Sequence, residues 1–508
     1  MLISDVVRFA ALRQPDEAAL IYDGAVTSYA ELDRRICRLA NGLLEIGQPG
    51  ERVAILAENL PEFVDAYYGV PLAGMALTFL NYRLHPREIE QILDNSGARI
   101  LITEPHYHDV MAAGGVTDRL RHVIVTGDAP AGALNYDELV GQASPEPPTV
   151  DVGETDLAWL IYTSGTTGLP KGAMLNHRNL ISAVCNSVMS WERTPDGVTL
   201  MPWPLCHVAG YIVPLTHTNG RPVVLMRGYE PEAFLAHIER YRITDASVAP
   251  TMLSMLLRHP KIDDYDLTSV RRMGYGAAPM PLEVLKRGMA QFPQARFLTG
   301  FGMTELGGNV LYQSPDAHQR ALAGEPDLLA SVGRPMPLGA VRVVDDRLED
   351  VKAGEVGELV VRAPQVTMGY WANPAATEDA FAGGWFHTGD LARRDEEGNF
   401  YIVDRKKDMI VTGGENVYSR EVEEIIYRHP SVAEAAVIGV PDEMWGERIV
   451  AVVQLREGTV PDADAIIRLC QDNLAGFKKP RQVVFLDELP RNAAGKILKR
   501  ELRDEVAT

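Results

Sequence analysis

Over its first 150 or so residues the chain alternates amphipathic segments, such as SYAELDRRICRLANGLLEIG at 28–47, with short β-rich runs: RVAIL (52–56), ARILIT (98–103) and HVIVTG (122–127). A 3.6-residue period giving way repeatedly to short apolar strands is met by parallel sheets with helices laid on their faces, so an α/β fold is expected. The proline-rich stretch ASPEPPTVDVGETD (143–156) reads as an extended connector between subdomains. Further strands are expected at PVVLM (222–226), ASVAP (246–250) and RRMGYGAAP (271–279). From about 335 to 403, AVRVVDD, GELVVRAP and NFYIVDR follow one another without long helices, which points to an antiparallel or barrel-like element. After DRKKD the helical segments SREVEEIIYRH and ADAIIRLCQDNLA bracket the strands EAAVIGV and RIVAVVQL, so a small α+β domain of about 100 residues closes the chain. The expected division is a large N-terminal domain, 1–403, of doubly wound α/β subdomains plus the barrel-like element, and a small C-terminal domain, 404–508.

A length of 508 residues exceeds what one core accommodates. The 49 basic and 69 acidic residues leave a net charge of −20, which argues against a nucleic-acid partner. No basic stretch precedes an apolar core after Met1, and no run of about 18 apolar residues occurs, so a cytoplasmic protein without a transmembrane segment is expected. Cys37, Cys185, Cys206 and Cys470 are scattered without a CxxC pair, which suggests reduced thiols rather than disulfides or zinc.

The strand-like run LAWLIYT leads into YTSGTTGLPKG (162–172). Glycines there let backbone N–H groups approach an anion, while neighbouring hydroxyls add donors and Lys171 adds charge, so phosphate binding is the natural reading. It is not a Walker A loop, because Gly172 follows the lysine where Ser or Thr is required and Pro170 precedes it. The string instead resembles the phosphate-binding motif of the adenylate-forming enzymes: acyl-CoA synthetases, peptide-synthetase adenylation domains and beetle luciferases. PLCHVAG (204–210), GYGAAPMP (274–281), TGFGMTELGG (299–308), GWFHTGD (384–390), YIVDRKKDMIVTGGENVYSREVEE (401–424) and PRNAAGKILKREL (490–502) resemble that family's further motifs in the same order.

The resemblance implies two half-reactions: a carboxylate attacks ATP to give acyl-AMP and pyrophosphate, then a thiol takes the acyl group. It assigns Thr163, Ser164, Gly165, Thr166, Thr167, Gly168 and Lys171 to the triphosphate. Thr304 goes to the α-phosphate, and Glu305 to magnesium. Gly276, Ala277, Ala278, Gly300, Phe301 and Gly302 go to adenine and the acyl site, where Phe301 replaces a tyrosine common in the family and Thr299 an amide residue. Asp390 is assigned to the ribose diol, with Tyr401 and Arg405 nearby. His207 is placed beside the substrate carboxylate, and Cys206 is a small wall residue rather than a nucleophile. Lys496 bridges carboxylate and α-phosphate during adenylation. Asp404 is the hinge of a mobile small domain, and Gly413, Gly414 and Glu415 form the loop along the pantetheine path. Lys406, Lys407, Lys478, Lys479 and Arg481 are candidates for coenzyme A phosphates, with a solvated charged face equally open. The implied activity is an ATP-, Mg2+- and coenzyme A-dependent acyl-CoA ligase acting on a fatty or aryl acid, with homo-oligomerisation left open. The rival readings are an adenylation enzyme serving a carrier protein in trans and a non-catalytic nucleotide-binding protein.

Overall fold

The computed structural model describes the chain except residues 164–169, 192–193, 195, 279, 443, 493–494 and 508. Two compact units emerge: residues 1–340 with 362–386, and residues 341–361 with 387–508.

The larger unit holds a seven-stranded and a nine-stranded sheet. In the first, Arg52–Leu56 lies between the parallel strands Ala76–Phe79 and Ile100–Thr103. Both faces are covered. Val53, Ile55, Ile100 and Ile102 join one core with the helices Tyr29–Ile46 and Pro61–Leu72, while Ala54, Leu56 and Leu101 join another with Ile89, Ile92 and Leu93 of the helix Pro86–Ser96. Alternate residues of one strand thus feed two cores, the pattern of a doubly wound sheet. The helix Tyr29–Ile46 begins at Ser28, whose side chain accepts from Glu31 N, and buries Leu32, Ile36, Leu39 and Leu43 along one stripe. At one edge, Leu157–Thr163 runs parallel to Ala76–Phe79, then pairs antiparallel with Lys171–Asn176. In the nine-stranded sheet the parallel strands Thr199–Met201, Asp245–Val248, Arg272–Tyr275 and Arg296–Met303 are adjacent, and Gly308–Gln313 turns back antiparallel.

The smaller unit joins a four-stranded sheet, its strands neighbouring one another in chain order from Ala340–Val344 to Phe400–Arg405, to a five-stranded sheet. The latter is dominated by the antiparallel pair Val432–Asp442 and Gly446–Leu455. Val437, Ala451 and Val453 face the helices Ser419–Ile426 and Ala463–Asn473, whereas Ala436, Ile438 and Val452 face Leu489 and Leu502. The chain is therefore α/β, with a large N-terminal part and a smaller sheet-containing C-terminal part. Among the described residues no helix is long and apolar enough to cross a membrane.

Candidate active site

The glycine-rich loop is held at its two ends. Thr163 and Lys171 are register partners across the antiparallel pair, and Thr163 Oγ1 donates to Lys171 O at 3.4 Å. Ser164, Gly165, Thr166, Thr167 and Gly168 lie outside the described residues, so the structure places the frame of the loop through Thr163 and Lys171.

Beside that frame, the strand Arg296–Met303 ends in a single helical turn, Thr304–Leu306, closed by Gly307 at φ +61°. The turn carries Glu305 inward, where it is 5% exposed. Its Oε1 accepts from Tyr370 Oη at 3.0 Å and from Thr163 Oγ1 at 3.5 Å. Tyr370 arrives on a segment that pairs with the outer edge of Lys171–Asn176, through Met174 N to Gly369 O and Trp371 N to Gly172 O. Its ring lies 5.2 Å from the Lys171 ammonium. One tyrosine thus touches both the lysine and the buried carboxylate. Sequence reading passed it over, because MGYW carries no chemical pattern of its own. A cluster of three metal-ligating side chains is absent among the described residues. Glu305 alone fits magnesium, which keeps its waters and is held by one or two carboxylates together with substrate phosphates.

His207 follows the turn Leu205–Cys206 and is half-buried. Burial, then the nearby Arg83 charge, depresses its pKa to about 4, so the imidazole is neutral at physiological pH. Burial also pushes the Cys206 thiol up to about 12, which leaves no thiolate for nucleophilic chemistry. Gly276, Ala277 and Ala278 follow the strand Arg272–Tyr275, with Ala277 in the left-handed region at φ +67°, a conformation costing roughly 1–2 kcal/mol for a residue with a Cβ. Gly300 and Gly302 are required by their own neighbours: a Cβ at Gly302 would lie 2.1 Å from Gly308 O, and one at Gly300 2.8 Å from Leu311 O. Phe301 between them is half-buried. Thr299 donates to Tyr275 O at 2.7 Å, so its hydroxyl ties two strands together.

In the smaller unit Asp390 and Arg405 are register partners on adjacent strands. Asp390 is 4% exposed, and its Oδ1 is 2.8 Å from Arg405 Nε. Tyr401 is engaged away from this pair: its hydroxyl donates to Asp395 Oδ2 at 3.0 Å, and Arg393 lies over its ring. Asp404 accepts from Ser419 N and Ser419 Oγ at 2.5 and 2.8 Å and from Arg405 N at 2.7 Å, pinning the strand end to the helix Ser419–Ile426. Lys496 sits in a turn closed by Gly495, with its N–H donating to Asn492 Oδ1 at 2.8 Å. Its side chain reaches the surface yet is crowded on its inner side; burial there, followed by the charges of Arg405 and Lys407, depresses its pKa to about 8.

Gly413 and Gly414 form a two-residue hairpin at φ +59° and +83°, ahead of the exposed Glu415. A Cβ at Gly413 would press on Trp445 at 3.0 Å, whereas one at Gly414 meets nothing within 4 Å. Of the basic residues considered for coenzyme A, Lys406 pairs with Asp346 and Glu358, Lys478 pairs with Glu421, and Arg481 stacks on Trp445 at 4.4 Å.

Two doubly wound sheets, a glycine-rich segment framed by Thr163 and Lys171, a buried Glu305 beside that frame, and a separate unit carrying Asp390 and Lys496 define an adenylate-forming architecture. Residues 7–371 match the family described as AMP-binding enzyme, and 421–496 match the AMP-binding enzyme C-terminal domain; the chain belongs to this family. It is 40% identical over 500 residues to a feruloyl-CoA synthase of an Amycolatopsis species, covering 97% of this chain and 96% of that one. It is 36% identical over 520 residues to an indoleacetate–CoA ligase of Aromatoleum aromaticum, covering 100% and 98%. The crystal structure of ATP-bound MatB from Rhodopseudomonas palustris superposes with a TM-score of 0.90 at 32% identity over 100% of this chain and 99% of that one.

Proposed function

We propose that this protein is a cytoplasmic, AMP-forming acid–CoA ligase whose acid is an aryl or fatty carboxylic acid, converted to acyl-AMP with release of pyrophosphate and then to acyl-CoA. ATP, Mg2+ and coenzyme A are its cofactors. The observation that carries the reading is the convergence of Thr163, Lys171, Tyr370 and Glu305 around the glycine-rich loop. A carboxylate resists nucleophilic chemistry because of its charge, and its activation needs cations and donors set in advance where phosphate charge accumulates. Lys171 supplies a fixed charge at the loop's exit. Glu305, desolvated and oriented by Tyr370, is the chain's anchor for magnesium, which when bound neutralises triphosphate charge. Asp390 offers two acceptor oxygens to the ribose diol, and Arg405 holds it in place.

His207, neutral, can lie beside the substrate carboxylate without forming an ion pair that would stabilise the ground state. Lys496 brings the mobile charge for adenylation. The small domain, 404–508, then rotates about Asp404 to place Gly413 and Gly414 along the pantetheine path, where the absence of side chains keeps the path open. The identity to the feruloyl- and indoleacetate-activating enzymes supports coenzyme A as acceptor and an aryl acid as substrate.

Incubation with ATP, Mg2+, coenzyme A and a panel of aryl and fatty acids tests the reading. Pyrophosphate and acyl-CoA are expected together. Pyrophosphate without use of coenzyme A points instead to a carrier-protein acceptor, and absence of both overturns the assignment.

A further inference from the structure

The single turn that carries Glu305 is too short to hold itself. It closes with Gly307 N donating to Thr304 O at 3.0 Å, which leaves the carbonyls of Glu305 and Leu306 to find donors outside it. Both residues are buried, so water does not serve them. Thr367 N donates to Glu305 O at 2.7 Å, and Gln365 Nε2 donates to Leu306 O at 2.7 Å. The same side-chain nitrogen also donates to Asn309 O at 2.9 Å, beyond Gly307 and Gly308.

Gln365 is completely buried, as is Asn186, whose Nδ2 donates to Gln365 Oε1 at 2.7 Å. Asn186 Oδ1 in turn accepts from Leu338 N at 2.9 Å. The Gln365 amide therefore has one orientation: turned over, it would set its oxygen against two carbonyls and its NH2 against that of Asn186. Asn186 lies on the helix His177–Ser190, which continues directly from the strand Lys171–Asn176. Two helical turns earlier, Asn179 Nδ2 donates to Pro364 O and Val366 O, both at 2.8 Å, and so grips the backbone on either side of Gln365. A continuous set of bonds runs from the strand bearing Lys171, through this helix and Gln365, to both ends of the Glu305 turn. A cluster of apolar side chains could fill the same space at similar stability; what a fully bonded amide network adds is one defined arrangement.

We infer that Gln365, oriented by Asn186, is a positioning residue for Glu305, setting the register between the strand of Lys171 and the turn that presents the carboxylate. This rests on the reading of Glu305 as the magnesium carboxylate. Magnesium tolerates little departure from octahedral geometry, so a carboxylate displaced by about half an ångström holds it less well. Tyr370 and Thr163 orient the Glu305 side chain, and Gln365 with Thr367 places its backbone.

The test measures ATP affinity by calorimetry with Mg2+ and with a chelator in its place, and takes the ratio as the magnesium increment. Glu305→Gln gives the reference loss. Gln365→Met keeps length and removes the amide; it is expected to cut the increment by roughly tenfold, the scale of a weakened bond to a charged group, with affinity in the chelator near wild type. Asn186→Leu, which frees the amide's orientation, should act in the same direction to a smaller extent. Conversion of supplied acyl-AMP and coenzyme A to acyl-CoA should stay near wild type in both. Val184→Ala opens a cavity at a buried apolar residue of the same helix and controls for stability: it should lower the thermal midpoint and leave the increment unchanged. A folded Gln365→Met protein that keeps the wild-type increment, or that loses both half-reactions alike, overturns the inference, while loss of the increment in Glu305→Gln keeps the magnesium reading. If Glu305→Gln itself retains the increment, the reading and the inference fall together. Should Gln365→Met not fold, Asn186→Leu decides by the same ratio.

Discussion

Tyr370 donates its hydroxyl to Glu305 at 3.0 Å while its ring faces the Lys171 ammonium at 5.2 Å, so a residue some 65 positions downstream of Glu305 joins the side chain of the loop lysine to the buried carboxylate. The two contacts can be separated by substitution. Tyr370→Phe keeps the ring and deletes the donor, and is expected to weaken transition-state stabilisation by about 1.5–3 kcal/mol, the range for a hydrogen bond to a charged group. Its Mg2+ requirement should rise more than its KM for acid. Tyr370→Leu should lose a further ~0.5–1 kcal/mol with the cation–π contact. Titrating Mg2+ against pyrophosphate release, and measuring ATP affinity by calorimetry with and without Mg2+, reads both; a Phe variant with the wild-type magnesium response in both assays counts against the role given to Tyr370.

Asp390→Ala should weaken ATP binding by roughly 1–3 kcal/mol, since the ribose diol would lose a buried acceptor, and leave KM for the acid near its wild-type value. The same change strips Arg405 of its 2.8 Å partner, so a lower thermal midpoint is expected too, modest because Arg405 is about a third exposed and water takes over part of the contact. Equilibrium nucleotide binding and thermal melting on one sample distinguish the two effects, and unaltered ATP affinity would remove Asp390 from the ribose site.

The layering of this fold was open to sequence reading because each buried strand leaves a visible apolar run and each covering helix a stripe. RVAIL (52–56) announces two cores as plainly as the structure builds them. The candidate site was legible only in part. YTSGTTGLPKG states its chemistry in one stretch, whereas Tyr370 gains meaning solely from the pairing of its segment with Lys171–Asn176, a relationship between distant pieces of chain that no local pattern encodes. Asp245 and Arg272 were hidden for a related reason: each looks like a polar interruption in a strand until register puts them side by side on a buried face. Thr299 shows the converse. It stood out as a departure from the family pattern, yet its hydroxyl is taken up by Tyr275 O within the sheet.

The depressed pKa of Lys496, about 8, gives the adenylation step a basic limb. Burial and the Arg405 and Lys407 charges disfavour its protonated form, so the cation is present below pH 8 and is lost as pH rises through that value. The pH profile of kcat/KM for ATP, which reports groups of the free enzyme, should therefore fall above about pH 8. Conversion of supplied acyl-AMP and coenzyme A to acyl-CoA should lack that limb. His207, with a pKa near 4, should contribute no inflection between pH 5 and 8 to either step. A histidine-like limb in that interval would mean that His207 takes up a proton despite its burial and the nearby Arg83 charge.

The sharpest separation of the two half-reactions uses Lys496 and Gly414. Lys496→Ala removes a charge needed only while phosphate charge accumulates, so acyl-AMP formation should fall by several kcal/mol of transition-state stabilisation, on the scale of a lost charged contact in a desolvated site. Its use of synthetic acyl-AMP with coenzyme A should persist. Gly414 behaves differently from its neighbour. A side chain at Gly413 would drive into Trp445 and disturb the fold, but one at Gly414 has open space around it, and the structural penalty is the left-handed φ of +83°, about 1–2 kcal/mol. Gly414→Leu should therefore remain folded, form acyl-AMP, and stall before the thioester because leucine projects into the pantetheine path. Pyrophosphate release and acyl-AMP conversion, assayed separately on folded samples, should give opposite defects in the two variants. If each variant instead loses both steps to the same degree, a single fixed arrangement of the small domain serves the whole reaction, and rotation about Asp404 has no part in it.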